Sequence, residues 1–173
     1  MKSLLIVFIF LNVVYTAFGQ RNELSNSSNI KTNSFQIELF GNGIGYSFAY
    51  ENILINKPKY KTAALIGIEY LPPSAGVDLV FPVQVCQLFS FDQHHFELGV
   101  GYSFFLELWH EEKNKQLSGW FNGRIGYRYQ KPEGKFLFRI GFIPFRTHSI
   151  IDGDEQHNID PWGGISFGYA FGR

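Results

Sequence analysis

The stretch ELGVGYSFFLE, residues 97–107, alternates between two kinds of side chain along most of its length. One set of alternate positions holds leucine, valine, tyrosine and phenylalanine, and the other holds mainly glycine, serine and glutamate. Because the side chains of a β-strand point to opposite faces in turn, this stretch predicts a strand with one apolar face and one small or charged face. Glycine weakens a strand because it has no side chain to pack, so its repeated use here needs a physical reason.

The same pattern returns along the chain. GYSF at residues 101–104 also stands at 45–48, and the near copies GYRY and GYAF stand at 126–129 and 168–171. The alternation predicts eight strands separated by turn-forming residues. The predicted strands are residues 34–41, 44–55, 60–71, 77–90, 94–109, 118–130, 135–146 and 162–171. Short links such as INKPK alternate with more variable ones such as HEEKNKQLS, which is typical of an up-and-down meander.

The glycine-rich face decides the class of protein. A water-soluble barrel or sandwich would turn this face outward, where threonine, lysine and glutamate serve a strand better than glycine does. Small residues fit inside a narrow closed barrel, and an eight-stranded barrel has an interior that side chains just fill. The apolar face then lies outside and needs lipid around it. The sequence therefore predicts an all-β protein, an eight-stranded antiparallel up-and-down transmembrane β-barrel, over residues 34–173.

Charged residues on the glycine-rich face are expected in the lumen of this barrel. They are the acids Glu38, Glu51, Glu69, Asp78, Glu97 and Glu107 and the bases Arg124, Arg128 and Arg139. Charges withdrawn from water are costly unless they are paired. We therefore expect an ion-pair and hydrogen-bond network that fills the lumen, and a narrow polar pore or gate is the alternative.

Aromatic residues mark one end of every predicted strand on the apolar face. If the first strand starts in the periplasm, each strand presents an aromatic ring near its periplasmic end, while mid-strand positions are mostly aliphatic. These aromatic residues are Phe35, Tyr50, Tyr60, Phe89, Phe96, Tyr129, Phe136 and Phe171. A girdle of such rings at the boundary between water and lipid is typical of outer-membrane barrels.

The N-terminal segment reads MKSLLIVFIFLNVVYTAFGQ. A positive residue, an apolar stretch and a small-residue cleavage site follow one another, as in a secretory signal peptide. We predict a signal peptide at residues 1–19 and a flexible N-terminal tail at residues 20–33. A retained membrane anchor is the alternative, although a spanning helix needs about 20 apolar residues.

The composition narrows the possible functions. Fifteen basic residues balance 15 acidic ones, so no electrostatic argument supports a nucleic-acid partner. Cys86 is the only cysteine, which excludes a disulfide framework and a multi-cysteine metal site. We expect Cys86 to be a small apolar filler within a strand.

Two predicted outer loops carry groups that could bind a divalent cation, directly or through lipopolysaccharide phosphates. These groups are WHEE at residues 109–112, and His148, Asp152, Asp154, Glu155 and His157 in the last loop. Their spacing matches no standard calcium loop, so we assign no metal site and no cofactor. The loops at 109–118 and 146–161 are instead expected to be contact surfaces, and His94-His95 a solvated turn.

One cluster has the composition of a hydrolytic site. Some eight-stranded barrels modify lipid A with a serine, a histidine and an acid, and Thr147-His148-Ser149 with Asp152 nearby is the candidate here. Adjacent histidine and serine on a strand lie on opposite faces, although a loop could bring them together. We therefore expect no enzyme and name no catalytic residue. A lipid A-modifying enzyme and a soluble secreted ligand-binding barrel, with its aromatic face inward, are the alternatives.

Four stretches carry a family resemblance: ELFGNGIGYSFAYEN, ELGVGYSF, GRIGYRYQKPEGKFLFRIGFIPF and PWGGISFGYAF. With them the chain resembles the small outer-membrane β-barrel proteins of Gram-negative bacteria, the outer membrane protein β-barrel domain type. The resemblance implies an outer-membrane location, membrane lipids and lipopolysaccharide as partners, and no catalytic residue. The last strand, with Gly164, Phe167 and Tyr169, also resembles the C-terminal signal that such barrels present to the barrel assembly machinery.

Overall fold

The computed structural model describes residues 30–43, 45–71, 79–106, 118–151 and 154–172, and for residues 118, 147–151 and 154–158 it describes the backbone alone. The predicted signal peptide therefore lies outside the described residues. All regular secondary structure in these ranges is β-strand. The strands are β1 (Asn33–Phe40), β2 (Tyr46–Asn56), β3 (Tyr60–Tyr70), β4 (Leu79–Phe91), β5 (His94–Leu106), β6 (Ser118–Gln130), β7 (Phe136–Phe142), β8 (Phe145–Ile151), β9 (Asp154–Asp160) and β10 (Gly163–Phe171). Within the described ranges there is no helix with the length and apolarity needed to cross a membrane.

Eight of these strands close into an antiparallel barrel. Neighbours follow the order β5, β4, β3, β2, β1, β10, β7 and β6, and the pairing of β5 with β6 completes the ring. Consecutive strands are neighbours except where β10 returns to β7 past the β8–β9 hairpin. The predicted all-β, eight-stranded antiparallel up-and-down barrel is thus confirmed.

The two ends of the barrel differ in their connections. Residues 57–59, 92–93 and 131–135 form short links at one end, which we call the short-turn end. The opposite end, the loop end, carries the connections at 41–45, 71–78 and 107–117 and the β8–β9 hairpin. Asp92 lies in the two-residue link between β4 and β5 and has φ 60°, a left-handed conformation that aspartate tolerates better than most residues.

The region after β7 departs from the sequence prediction. A single strand was expected over 135–146 and a loop over 146–161, but the chain leaves the ladder after Phe142 and re-forms as the β8–β9 hairpin. At the break the Ile143 amide donates to the carbonyl of Trp162 (2.8 Å), and the carbonyl of Pro144 accepts from the Gly123 amide (2.9 Å). Proline has no N–H to give to a ladder, which accounts for the interruption.

Glycine lines the interior where neighbouring strands leave no room for a side chain. A Cβ atom on Gly126 would lie 2.8 Å from the carbonyl oxygen of Ile140, and one on Gly101 would lie 2.6 Å from that of Val83. Both distances are too short for a real Cβ contact. Gly101 and Gly126 of the repeated tetrads therefore allow neighbouring strands to approach each other closely inside a narrow barrel, as predicted.

Candidate functional site

The outer wall of the barrel is apolar. Alternate residues of each barrel strand face outward, and many large hydrophobic side chains there are exposed, such as Val100 with 58% of its surface accessible. In the described parts of the eight barrel strands, no outward-facing residue is Asp, Glu, Lys or Arg. The predicted orientation of the two faces is confirmed. The alternative of a soluble barrel with its aromatic face turned inward is wrong, because Phe35, Phe48, Phe167 and Tyr169 lie on the outside.

The centre of the barrel contains a network of buried ion pairs around Glu97. The Glu97 carboxylate lies 3.0 Å from Nε of Arg124, 3.0 Å from Nε of Arg139 and 3.7 Å from Nη1 of Arg128. All four side chains have at most 1% of their surface exposed. One carboxylate on β5 therefore ties together guanidinium groups from β6 and β7.

Two further carboxylates complete the network from the opposite wall. Nη1 of Arg124 donates to Glu38 on β1 (2.7 Å), and Nη1 of Arg128 donates to Glu51 on β2 (2.7 Å). Ser166 on β10 also donates to Glu38 (3.0 Å). Three acids and three arginines from five strands are thus paired with no net charge. This is the arrangement that buried charges need if they are not to destabilise the fold.

The charged residues that sequence analysis placed in the lumen are buried there wherever the structure describes them, and one further base lies among them. Glu69 is buried at the loop end and accepts the backbone amide of Tyr46 (3.1 Å). Lys61 was missed, although its position on β3 has the same parity as Glu69, and its ammonium donates to Ser90 Oγ (3.0 Å) at the short-turn end. Asp78 and Glu107 lie outside the described residues. The four buried acids are therefore balanced by Lys61 and three arginines.

The structure contradicts the predicted exposure of His95. We predicted that His94-His95 is a solvated turn, but β5 begins at His94, so the two rings lie on opposite faces. His94 is exposed, whereas His95 is buried and its Nδ1 lies 2.9 Å from Ser90 Oγ. The second ring nitrogen of His95 lies 3.3 Å from the carbonyl oxygen of Gln130.

Apolar side chains pack at both ends of the ion-pair network. At the short-turn end Ile30 packs with a cluster of buried residues from β2, β3 and β4, which are Ile53, Ala63, Cys86 and Leu88. Ile30 belongs to the predicted tail at 20–33, of which residues 30–33 are described, and it is 2% exposed. Cys86 is a free, buried thiol in this cluster, as expected, but it is more than an apolar filler, because it donates to Oε1 of Gln84 (3.2 Å) and accepts from Nη2 of Arg139 (3.7 Å).

At the loop end an aromatic group covers the polar interior. Phe105 meets Trp120 edge-on at 4.4 Å between ring centroids, and Trp120 stacks on Phe145 at 4.7 Å. Leu71 and Val80 pack against the same group. The ion pairs therefore lie between two apolar layers.

The candidate catalytic residues 147–149 and the candidate metal ligands His148, Asp154, Glu155 and His157 lie in the part of the β8–β9 hairpin for which the structure describes the backbone alone. Thr147, His148 and Ser149 occupy successive positions of β8, which places His148 and Ser149 on opposite faces of the hairpin. Asp152 and residues 109–112 lie outside the described residues. No group of three or more His, Cys, Asp or Glu side chains that could hold a metal ion occurs among those that the structure describes.

Comparison with known proteins identifies the fold and no family. No protein-family model matches the sequence, and no curated protein matches it either. Among solved structures, the chain is similar to the crystal structure of the N-terminal β-barrel domain of Pseudomonas aeruginosa OprF, with a TM-score of 0.51. The match covers 83% of this chain and 99% of the other, at 10% sequence identity, and supports the barrel fold alone.

Proposed function

We propose that this chain is an integral outer-membrane β-barrel protein of a Gram-negative bacterium, with a filled polar lumen and a structural or interaction role exerted through its loop end. One observation carries the proposal. The outer wall has no ionic side chain in the described parts of the barrel strands, whereas four acids and four bases lie inside. This is the reverse of a water-soluble protein, in which charged residues lie almost entirely on the surface.

The shape and composition of the outer wall suit lipid. A shallow groove of about 830 Å³ runs over β1, β2, β3 and β10 and is lined mainly by outward Phe, Tyr and Ile side chains. Near the short-turn end, rings on neighbouring strands contact one another, as in Phe35 with Phe171 (5.3 Å between centroids) and Phe89 with Phe96 (6.4 Å). Such contacts suit the aromatic girdle that marks the edge of the hydrocarbon layer.

The ion pairs support a lumen that is closed. Arg124, Arg128 and Arg139 extend into the interior from one wall and meet carboxylates of the opposite wall, and apolar layers cover them at both ends. We propose that no continuous water path remains for a solute. The protein then acts through its surfaces, with membrane lipids and lipopolysaccharide around it and the barrel assembly machinery as its partner during insertion. The proposal includes no catalytic step and no cofactor.

Cell fractionation tests the location. The chain is expressed in a Gram-negative host with a porin and a periplasmic enzyme as markers. We expect it to sediment with the outer membrane, to require detergent for extraction, and to change its electrophoretic mobility on boiling. Recovery with the periplasmic marker in the absence of detergent would overturn the proposal.

Two further measurements test the closed lumen and the absence of catalysis. In planar lipid bilayers we expect the purified protein to give no steady conductance above that of bare lipid, and stable channel openings would favour the alternative of a narrow pore. Mass spectrometry of lipid A from deletion and overexpressing cells is expected to show unchanged acylation. A change that depends on His148 would instead favour the lipid A-modifying enzyme.

A further inference from the structure

The charged residues of the connections are divided unequally between the two ends of the barrel. The three short links of the short-turn end contain two acids and four lysines, which are Lys57, Lys59, Lys131 and Lys135. At the loop end, the segments 71–78, 107–117 and 143–162 together hold eight acidic residues and three basic ones. The chain as a whole has a formal net charge of zero, so only its topology shows that one end is basic and the other acidic.

The four lysines of the short links are available to a partner. Lys59, Lys131 and Lys135 are exposed and Lys57 is half-buried. None of the four forms an ion pair with a carboxylate among the side chains that the structure describes, because Glu133 pairs instead with Lys31 (2.7 Å). These lysines therefore form a surface with an excess of positive charge, which we call the lysine rim (Lys57, Lys59, Lys131 and Lys135).

The lysine rim lies directly beside the outward aromatic rings of the short-turn end. Lys59 and Lys135 immediately precede Tyr60 and Phe136, the first residues of β3 and β7. The ammonium of Lys135 lies 5.8 Å from the centroid of the Tyr169 ring on the outer wall, within the range of a cation–π contact. Lysine at such a place lays its hydrocarbon chain along apolar surface and keeps its charged end in a polar layer. The rim thus reaches the level of lipid headgroups when hydrocarbon surrounds the outer wall.

We propose that the lysine rim binds the phosphate groups of anionic phospholipids, such as phosphatidylglycerol. The ammonium group is a compact charge that binds phosphate, and each lysine near an anionic membrane surface favours association about fivefold. The proposal rests on the proposed membrane location, because only an inserted barrel brings the rim to the headgroups. It also assigns anionic phospholipid to the short-turn end, since the acidic loop end would repel the same headgroups.

Electron spin resonance of labelled lipids tests the preference. The purified protein is reconstituted into phosphatidylcholine vesicles that contain a trace of spin-labelled phosphatidylglycerol or of spin-labelled phosphatidylcholine. The fraction of label immobilised at the protein gives the relative affinity of the two lipids. We expect about a twofold preference for phosphatidylglycerol, which is less than the effect of one lysine because most sites around the barrel lie away from the rim. The preference should disappear in about 1 M NaCl, because salt screens exposed charges.

Two matched variants separate the charge of the lysine rim from the fold. The variant with Lys57→Gln, Lys59→Gln, Lys131→Gln and Lys135→Gln should lose the preference, whereas arginine at the same four positions should keep it because the charge remains. The mobility shift on boiling shows that each variant is folded, and immobilised phosphatidylcholine shows that it is inserted.

Three results would overturn the proposal. The first is an inserted parent with equal affinity for the two lipids, and the second is a glutamine variant that keeps the preference. The third is sedimentation of the parent in detergent with purified peptidoglycan that is lost in the glutamine variant, because the rim would then bind that polymer. Failure of the parent to immobilise either lipid would instead contradict the membrane location itself.

Discussion

Glu97 and the three arginines around it show how single side chains hold the interior of this barrel. Each guanidinium meets at least one carboxylate at 2.7 or 3.0 Å, and no more than 1% of any arginine side chain is exposed. A buried ion pair matters even where it stabilises the folded state no more than hydrophobic residues in the same place would. Removal of one member leaves its partner charged and buried, which costs more than the pair contributes.

Replacement of Arg124 tests this point. Arg124→Ala leaves Glu38 and Glu97 each with one fewer cation, and we expect a loss of about 3–5 kcal/mol in the free energy of unfolding. Lys31→Ala is the control, because Lys31 pairs at 2.7 Å with Glu133, whose side chain is 82% exposed, and such pairs contribute below about 1 kcal/mol. Denaturant unfolding in detergent, followed by circular dichroism, measures both variants. Equal losses would show that the buried network has no special role.

Glycine at interior positions of β6 gives a second comparison. Gly126→Ala places a methyl group 2.8 Å from the carbonyl of Ile140, so we expect a loss of about 1–3 kcal/mol from overpacking. Gly123 lies on the same strand but faces outward, and the nearest atom to a Cβ there is 3.7 Å away. Gly123→Ala should therefore change stability by less than about 0.5 kcal/mol. If thermal melts show the two variants to be alike, crowding of the lumen is not the reason for the glycine.

After β7 the chain does not continue the same strand towards the loop end but forms the β8–β9 hairpin. β7 ends at Phe142, and β8 continues alongside β6 through two residue pairs, Phe121–Arg146 and Asn122–Phe145. Beyond those pairs, the described backbone of the hairpin is paired only within itself. The outer part of the hairpin is therefore an appendage on the barrel and contributes little to closing it.

Shortening this hairpin tests its independence. Replacing residues 148–157 by Asn-Gly keeps residues 145–147 on β8 and 158–160 on β9, so that the new turn closes on the hydrogen-bonded Thr147–Asn158 row. We expect the variant to keep its mobility shift on boiling and to unfold within about 4 °C of the parent, since the contacts with β6 and Trp120 remain. Failure to form the heat-modifiable barrel would show that the hairpin is needed for folding.

The barrel strands could be predicted from the sequence because apolar and small or polar side chains alternate along them with a period of two residues. Alternation identified the eight barrel strands and the facing of their residues, and parity would also have identified Lys61 and His95 as inward. The hairpin was missed because its residues are polar and lack alternation. Its one signal was Asp152-Gly153 between Ile151 and Asp154, a dipeptide typical of two-residue hairpin turns.

The partners within the lumen could not be predicted. Arg124 pairs with Glu38, which lies 86 residues earlier in the sequence. Which acid an arginine meets across the lumen depends on the stagger of strands that are not neighbours in the ring. Stagger is a property of barrel closure and leaves no local mark in the sequence. The insertion of Ile30 was missed for a related reason, since it precedes the alternating region and packs in space against β2, β3 and β4.

The barrel as a whole is inside-out relative to a water-soluble protein, and its layers explain the repeated tetrads. The aromatic residues of GYSF and its near copies lie on the outer wall, and Gly101 and Gly126 allow neighbouring strands to approach inside. The buried acids and arginines of the interior form ion pairs, and apolar clusters pack at both ends of this network. An exposed apolar wall of this extent is stable only when something other than water surrounds it.

The most direct test of this account measures what the outer wall contacts. A spin label is attached at Val100→Cys, in a Cys86→Ala background, and the protein is reconstituted into lipid vesicles. We expect the label to collide readily with oxygen, which dissolves in lipid, and rarely with a water-soluble nickel complex, because Val100 is an outward residue of β5. A label at Glu133→Cys, in the short link between β6 and β7, should show the opposite preference. Equal access of the nickel complex to both labels would contradict the account, because the apolar wall would then face water.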